Sequence, residues 1–322
     1  MLQSLPVSED MLKVSVIIPT HERPHLLRRA VESARAAGTN VEIIVVDDAS
    51  TDATEEVCRS LKEIKYVRLE RNQGVAAARN IGLLFSTAEF VCFLDDDDQR
   101  LRGSLDRQLK ALISNQDAGF VCGPVLYADQ SGNLTGETMS PPSDPTNAFW
   151  DLLEWNFFAL PVSVIIRKTS LLRAGLFKGG LDRIDDWDLY VRLAALFPVI
   201  TVDEPVGIYR LATPFSGQGS SDLAANFLKA SKHQKVLFHI LKARSAPRSK
   251  VRASRRRTLN RFADVLFQKA ATSLPDGHYS SACANFVSGL RLSPQRLIRP
   301  SIYRTLLNSY VPNGKLRIAI GK

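Results

Sequence analysis

Residues 13–48 read KVSVIIPTHERPHLLRRAVESARAAGTNVEIIVVDD. Lys13–Pro19 is continuous and rich in β-branched residues, the pattern of a strand buried on both faces. From Arg23 to Ala37 the apolar residues Leu26, Leu27, Ala30, Val31 and Ala34 share one face of a helix. Gly38 follows where a C′ glycine closes a helix. Val41–Val46 is again a strand. Strand, helix and strand at this spacing predict a parallel sheet with right-handed crossovers.

The alternation continues outward from this unit. A polar turn covers Asp47–Thr54, where Thr51 or Asp52 can cap a helix that ends near Leu61. A strand at Lys65–Glu70, a helix at Val75–Phe85 and a strand at Glu89–Leu94 follow, then a helix at Leu101–Ser114 and a strand at Ala118–Cys122. Gly and Pro clusters between Gly123 and Ala159 predict a loop-rich region. Pro161–Arg167 reads as a strand, Asp186–Phe197 as a helix and Val206–Arg210 as a last short strand. Beyond Ser221 the pattern is helical, with Leu223, Phe227, Leu228, Val236, Leu237 and Ile240 on one face. Thr258–Pro294 reads as a helical hairpin broken at Pro275-Asp276-Gly277, its second helix like a single tetratricopeptide helix without an array. The expected division is a first domain over 1–221 and a basic helical region over 222–322.

With 322 residues, 45% of them apolar, the chain is long enough for a sizeable core. Its four cysteines, Cys58, Cys92, Cys122 and Cys283, form no CxxC pair, so reduced thiols are expected rather than a zinc knuckle or disulfide framework. Glu9 and Asp10 precede the first apolar run, and no apolar stretch approaches the roughly 18 residues of a membrane span. These features predict a cytoplasmic protein. The net charge of +9 is unevenly spread: residues 226–322 hold 20 Lys and Arg against Asp264 and Asp276, while the remainder is net acidic. Such a basic tail suits an anionic membrane surface or a nucleic acid.

Four polar clusters follow strands or open helices. Asp95-Asp96-Asp97-Asp98 comes directly after a buried strand, where open α/β sheets bind ligands. Four adjacent carboxylates repel, and a divalent cation would relieve them; a solvated acidic turn is the plain alternative. Asp47 and Asp48 end another strand; an Asx turn explains one acid, but not two. Gly74 opens a helix of small residues carrying Arg79, which could reach a diphosphate or simply face solvent. Asp185, Asp186 and Asp188 surround Trp187 at a helix start, more acids than capping requires.

Five stretches in this order make the chain resemble the family 2 glycosyltransferases: VSVIIPTHERP at 14–24, VEIIVVDDASTDAT at 41–54, RNQGVAAARNIGL at 71–83, FVCFLDDDD at 90–98 and DDWDLYVRL at 185–193. The resemblance covers roughly 13–215 and implies an α/β GT-A nucleotide-diphospho-sugar transferase fold, a Rossmann-like mixed sheet flanked by helices, with an α-helical C-terminal extension. It further implies that Pro19, Thr20 and His21 lie against the nucleotide base, followed in the same loop by Glu22 and Arg23. Histidine at position 21 stands where tyrosine is frequent. Asp48 would accept from the base, and Arg79 would sit near the diphosphate. Asp95 and Asp97 match the outer acids of the DxD motif that touch ribose and metal, with Asp96 between them. Asp186 matches the catalytic base, with Asp185 where glutamate is usual. The family's YRxH-like element appears as Tyr209-Arg210-Leu211-Ala212 without histidine, so a third protein ligand to the metal is not evident.

The implied reaction moves a sugar, with inversion, from a nucleotide-sugar donor, a UDP-sugar foremost, to a glycan or glycolipid acceptor in cell-envelope or surface polysaccharide synthesis. A divalent metal, Mn²⁺ or Mg²⁺, with Arg79 or Arg210, would neutralise the leaving diphosphate. The tail would add a peripheral contact with the inner face of an anionic membrane, and no specific nucleic acid is expected. The competing reading is a catalytically inactive nucleotide-binding domain whose basic tail binds nucleic acid or membrane. A dehydrogenase is excluded, since Pro19–Pro24 holds no GxGxxG, and the stretch around Arg255-Arg256-Arg257 lacks the aromatics that single-strand binding uses.

Overall fold

The computed structural model describes residues 14–142, 144–154, 159–181, 184–211, 223–275 and 277–298. Glu9, Asp10, Lys13, Ala212 and Asp276, and residues 155–158 of the expected loop region, lie outside the described residues. The chain divides into two compact units, 1–152 with 156–218, and 153–155 with 219–322.

In the first unit β1 (Val14–Thr20) is buried along its whole length. Pro24 opens α1 (Pro24–Ala36), whose Leu27, Ala30, Val31 and Ala34 are buried. Then come β2 (Val41–Asp47), α2 (Thr54–Ser60), β3 (Ile64–Arg68), α3 (Val75–Phe85), β4 (Phe90–Phe93), β5 (Gln99–Arg100), α4 (Ser104–Ser114) and β6 (Phe120–Cys122). They are followed by β7 (Val125–Ala128), β8 (Leu134–Met139), α5 (Ala148–Glu154, which crosses the boundary between units), β9 (Val164–Arg167), α6 (Lys168–Ala174), α7 (Asp185–Leu196), β10 (Val199–Thr201) and β11 (Gly207–Arg210).

The main sheet has the order β10-β6-β9-β4-β1-β2-β3. The pairs β1–β2, β1–β4, β2–β3 and β6–β10 are parallel, and β9 runs antiparallel between β4 and β6. A second sheet, β5-β11-β7-β8, contains both parallel and antiparallel pairs. This is the mixed GT-A architecture expected from the sequence.

Several local expectations change. Gly38 does not adopt a left-handed backbone; it is needed because a Cβ there would lie 2.9 Å from Asp106 Oδ1 and 3.2 Å from Leu105 Cβ. Asp52 sits one residue outside the helix cap and accepts the Thr54 N–H at 3.0 Å. The helix expected from Leu101 begins at Ser104, because Gln99 and Arg100 pair with β11. The region expected to be loops holds β7, β8 and α5. Of its strands, β7 finds a partner in residues 207–210, far along the chain, and β8 pairs with β7 itself.

In the second unit α8 (Leu223–Leu237), α9 (Leu241–Arg244), α10 (Arg248–Ser273) and α11 (Tyr279–Leu292) form the helical region. Phe227 stacks on Phe262 with centroids 4.8 Å apart. The buried stripe of α8 is Ala224, Ala230, Ser231, Gln234 and Leu237, and Val236, expected on it, is 57% exposed. α10 and α11 make the hairpin read from the sequence, with Phe267 against Phe286. No described helix is long and apolar enough to cross a membrane.

The α3–sheet packing gives a direct test. A Cβ at Gly82 would collide with the fully buried Ile17 and lie 3.2 Å from Val46 Cγ2. In an exposed helix Gly→Ala gains up to about 1 kcal/mol. Here the overpacking of about 1–3 kcal/mol should outweigh that gain. Gly82→Ala is expected to lower the denaturant midpoint; an equal or higher midpoint would refute this packing.

Candidate active site

The segments after β1, β2 and β4 reach the site from the carboxyl ends of parallel strands, and α3, α7 and β11 add to it. After β1 come Pro19, Thr20, His21 and Arg23. After β2 comes Asp48, and after β4 the run from Asp95. The start of α3 supplies Val75, Ala78 and Arg79, the start of α7 Asp185 and Asp186, and β11 Tyr209 and Arg210. Together they line a cavity of about 460 Å³. Of the residues expected at the site from the sequence, only Glu22 is not part of this lining. Its carboxylate accepts from Thr51 Oγ1 at 2.9 Å, and its own φ is 55°.

Asp48 is buried, and its two oxygens accept the Gln73 and Gly74 N–H groups, each at 2.7 Å. It therefore ties β2 to the start of α3, with Gly74 at φ 85° and Ala49 beside it at φ 61°. His21 Nδ1 is buried without a partner among the described residues.

Each acid of the run after β4 has a different environment. Asp95 is half-buried and accepts from Arg79 Nη2 at 2.6 Å. Asp96 is buried and accepts from Thr20 Oγ1 at 2.8 Å and Arg23 Nη1 at 2.9 Å; burial pushes its carboxyl up despite that arginine. Asp97 lies 3.5 Å from Arg23, and burial with repulsion from Asp95 and Asp96 pushes its carboxyl up to about 7. Asp98 is buried and accepts the Arg210 N–H at 2.9 Å, while its Oδ2 has no partner among the described residues. Burial and its acidic neighbours push the Asp98 carboxyl well above the usual range. Carboxylate oxygens of Asp95, Asp97 and Asp98 all lie within 4.8 Å of one another.

Across the cavity, Arg79 is buried and bridges two carboxylates, Asp95 at 2.6 Å and Asp185 at 2.7 Å. Its guanidinium also lies 5.3 Å from the Phe177 ring centre. Asp186 accepts the Trp187 N–H at 2.7 Å and is half-buried. Burial and the adjacent Asp185 push its carboxyl up to about 7, against the pull of Arg79. Asp188 faces Lys178 at 3.2 Å and Arg192 Nε at 2.7 Å, and it does not line the cavity. Arg210 Nε donates to the Gln130 carbonyl at 3.0 Å.

Sequence reasoning missed Asp98, Val75, Ala78 and Tyr209. The signal for Asp98 was present as the fourth acid of the run, but the DxD pattern drew attention to its first three. The two apolar residues carry no chemical signature, and Tyr209 stood out only as the neighbour of Arg210.

Residues 15–180 match the Glycosyl transferase family 2. The chain belongs to that family. Over 134 residues it is 40% identical to the GalNAc(5)-diNAcBac-PP-undecaprenol beta-1,3-glucosyltransferase of Campylobacter jejuni, a match covering 39% of this chain and 42% of that protein. It spans 26–33% of the length of three rickettsial relatives, each described as an uncharacterized glycosyltransferase. Among solved structures it is similar to TarS residues 1–349 of S. aureus in complex with UDP-GlcNAc, with a TM-score of 0.63 and 17% identity over 93% of this chain and 89% of that one. It is also similar to the mannosyltransferase PcManGT of Pyrobaculum calidifontis in complex with GDP-Man and Mn²⁺, with a TM-score of 0.51 and 18% identity over 86% of each chain. At these identities the two structures speak for the GT-A fold alone.

The double bridge of Arg79 implies a stability cost on its removal. Arg79→Met leaves Asp95 and Asp185 facing a site without their cation, and loss of one partner of a buried ion pair costs about 3–5 kcal/mol. Urea unfolding should show a loss of that order; a change below about 1 kcal/mol would mean that the bridge is not formed.

Proposed function

We propose that the chain transfers a sugar, with inversion, from a nucleotide-diphosphate donor to an acceptor hydroxyl. The observation that carries this reading is the convergence on one cavity of the acids after β4 and Asp186, whose carboxyl titrates near neutrality. The acids after β4 suit the donor's charged end, and Asp186 suits a base on the acceptor side. The alternative of a catalytically inactive domain lacks support, since the donor-side acids and the proposed base share one cavity.

The donor set fits a hard divalent cation. Asp95, Asp97 and Asp98 offer clustered carboxylate oxygens, one of them buried and without a partner among the described residues, and burial together with mutual repulsion raises the proton affinity of Asp97 and Asp98. Mn²⁺ or Mg²⁺ bound there would supply charge neutralisation for the departing diphosphate. Asp98 thereby answers the missing histidine of the YRxH-like element, since the backbone of Arg210 at that element holds Asp98 in place.

The chain's own residues take the remaining roles. Pro19, Thr20 and His21 flank the nucleotide base, with Asp48 holding the facing loop. Arg23 offsets Asp96 and Asp97. Arg79 orients Asp95 toward the donor and takes up the charge of Asp185, so that Asp186 is the acid left to act. Arg210, held through its Nε, keeps its other N–H groups for the diphosphate. Asp186 accepts the proton of the acceptor hydroxyl as that oxygen attacks the anomeric carbon.

A UDP-sugar is the first donor to test. A glycan or lipid-linked glycan is the proposed acceptor, supported by the name of the Campylobacter relative, which specifies a PP-undecaprenol-linked substrate. Such an acceptor places the protein on the inner face of a membrane, which the basic C-terminal unit would contact peripherally. The decisive experiment is a donor screen with UDP-, GDP- and dTDP-sugars in the presence of Mn²⁺ or Mg²⁺; no turnover of any donor would refute the reading.

Two variants separate the roles. Asp97→Asn should weaken Mn²⁺-assisted UDP binding by at least about tenfold, or 1.4 kcal/mol, and leave the thermal midpoint of the metal-free protein nearly unchanged. Calorimetric titration checks this, and equal affinity in both proteins rules the metal role out. Asp186→Asn should keep donor affinity and lose about 10²–10⁴ in kcat. In the unaltered protein, kcat should rise with pH through about 7, as the Asp186 carboxyl deprotonates. A pH profile flat between about 5.5 and 8.5 would remove Asp186 as the base.

A further inference from the structure

α10 of the second unit carries an unusual row of arginines. At 3.6 residues per turn Arg248, Arg252, Arg255 and Arg256 fall within an arc of about 100° and a length of about 12 Å. Arg248, Arg252 and Arg256 are exposed and Arg255 is half-buried. The stripe that packs inward, Ser254, Thr258 and Phe262, lies beside this arc and leaves it uncovered.

Within the described residues none of these four arginines has a hydrogen bond, an ion pair or a ring contact. The reason lies in the composition of the unit. Its described acids are Glu154 and Asp264, and both are already engaged: Glu154 binds Arg257 at 2.6 and 2.5 Å, and Asp264 binds Arg296. Four guanidinium groups on one helical face, with no internal counter-charge, are an open site for polyvalent anions. Guanidinium forks match phosphate oxygens two at a time.

We propose that this face docks on the phosphate head groups of an anionic lipid bilayer. The proposal rests on the lipid-linked acceptor read above, which requires the transferase to work beside a membrane. A second observation separates a bilayer from a single-stranded nucleic acid. No Phe, Trp or Tyr lies between Phe238 and Phe262, and Phe262 is buried against Phe227, so no exposed ring stands among the arginines on which a base could stack. The face offers charge without base readout, as a layer of head groups requires.

The test uses the full chain and vesicles of phosphatidylcholine with or without about a quarter phosphatidylglycerol. Sedimentation at about 0.05 M salt should show binding only to the anionic vesicles, lost at about 0.5 M. Each arginine near such a surface contributes about fivefold. Replacing Arg248, Arg252, Arg255 and Arg256 by Gln should therefore weaken binding by about a hundredfold or more. A charge-matched control replaces Lys232, Lys235, Lys269 and Arg291 by Gln and should lose much less. Circular dichroism and UDP affinity serve as folding checks on both variants; if the quadruple arginine variant unfolds, the pair Arg252→Gln and Arg256→Gln replaces it, with an expected loss of about 25-fold.

Three outcomes overturn the proposal: unaltered protein that ignores anionic vesicles at low salt, equal losses in the arginine and control variants, or duplex DNA that displaces the vesicles at equal phosphate concentration. Vesicle binding that survives while no nucleotide binds would sink the transferase reading and leave the arginine face standing. Donor turnover with no vesicle binding would do the reverse.

Discussion

Six aspartates line one cavity, and their mutual repulsion is the constraint around which the first unit is organised. Buried carboxylates are stable only when hydrogen-bonded, paired or protonated. The structure uses all three solutions. Asp48 is saturated by backbone N–H groups and Asp96 by Thr20 and Arg23, while the shared Arg79 pairs with one oxygen each of Asp95 and Asp185. Asp97, Asp98 and Asp186 are less well compensated, and their carboxyls hold protons above the usual range.

This unequal compensation separates acids engaged by the protein from acids left short of partners. A carboxylate whose oxygens are filled by the protein holds elements together; one kept short of partners has affinity to spare for a cation or a proton. Asp188 illustrates the first case. It sits in the same helical turn as Asp186, yet Lys178 and Arg192 occupy it and it faces away from the cavity. Glu22 and Ala49, both with left-handed backbones, show that the two loops at the sheet edge bear local strain where they border the site.

The helical unit follows the opposite electrostatic rule. Its described acids are engaged in specific pairs, Glu154 with Arg257 and Asp264 with Arg296, and among the described residues Arg248, Arg252, Arg255 and Arg256 have no partner of opposite sign. One chain thus joins an acid-rich unit, proposed above to hold a cation, to a base-rich helical unit, proposed above to meet an anionic surface.

The sequence by itself determined the alternation of β1 to α4, because buried parallel strands and amphipathic helices have periods that survive without knowledge of their neighbours. It also marked most of the candidate site, since Asp48, the acids from Asp95 and the pair Asp185-Asp186 stand at strand ends and helix starts, where open α/β sheets bind ligands. The second sheet was illegible: β7 is held by β11, a partner some eighty residues away that leaves no local pattern, and β8 joins the sheet through β7. Side-chain pairing was equally hidden. That Arg79 would be buried between Asp95 and Asp185, and that Asp98 would join Asp95 and Asp97, depends on four separate segments meeting at one sheet edge. Residue type decides which charges exist, but only the tertiary distances decide which of them neutralise one another.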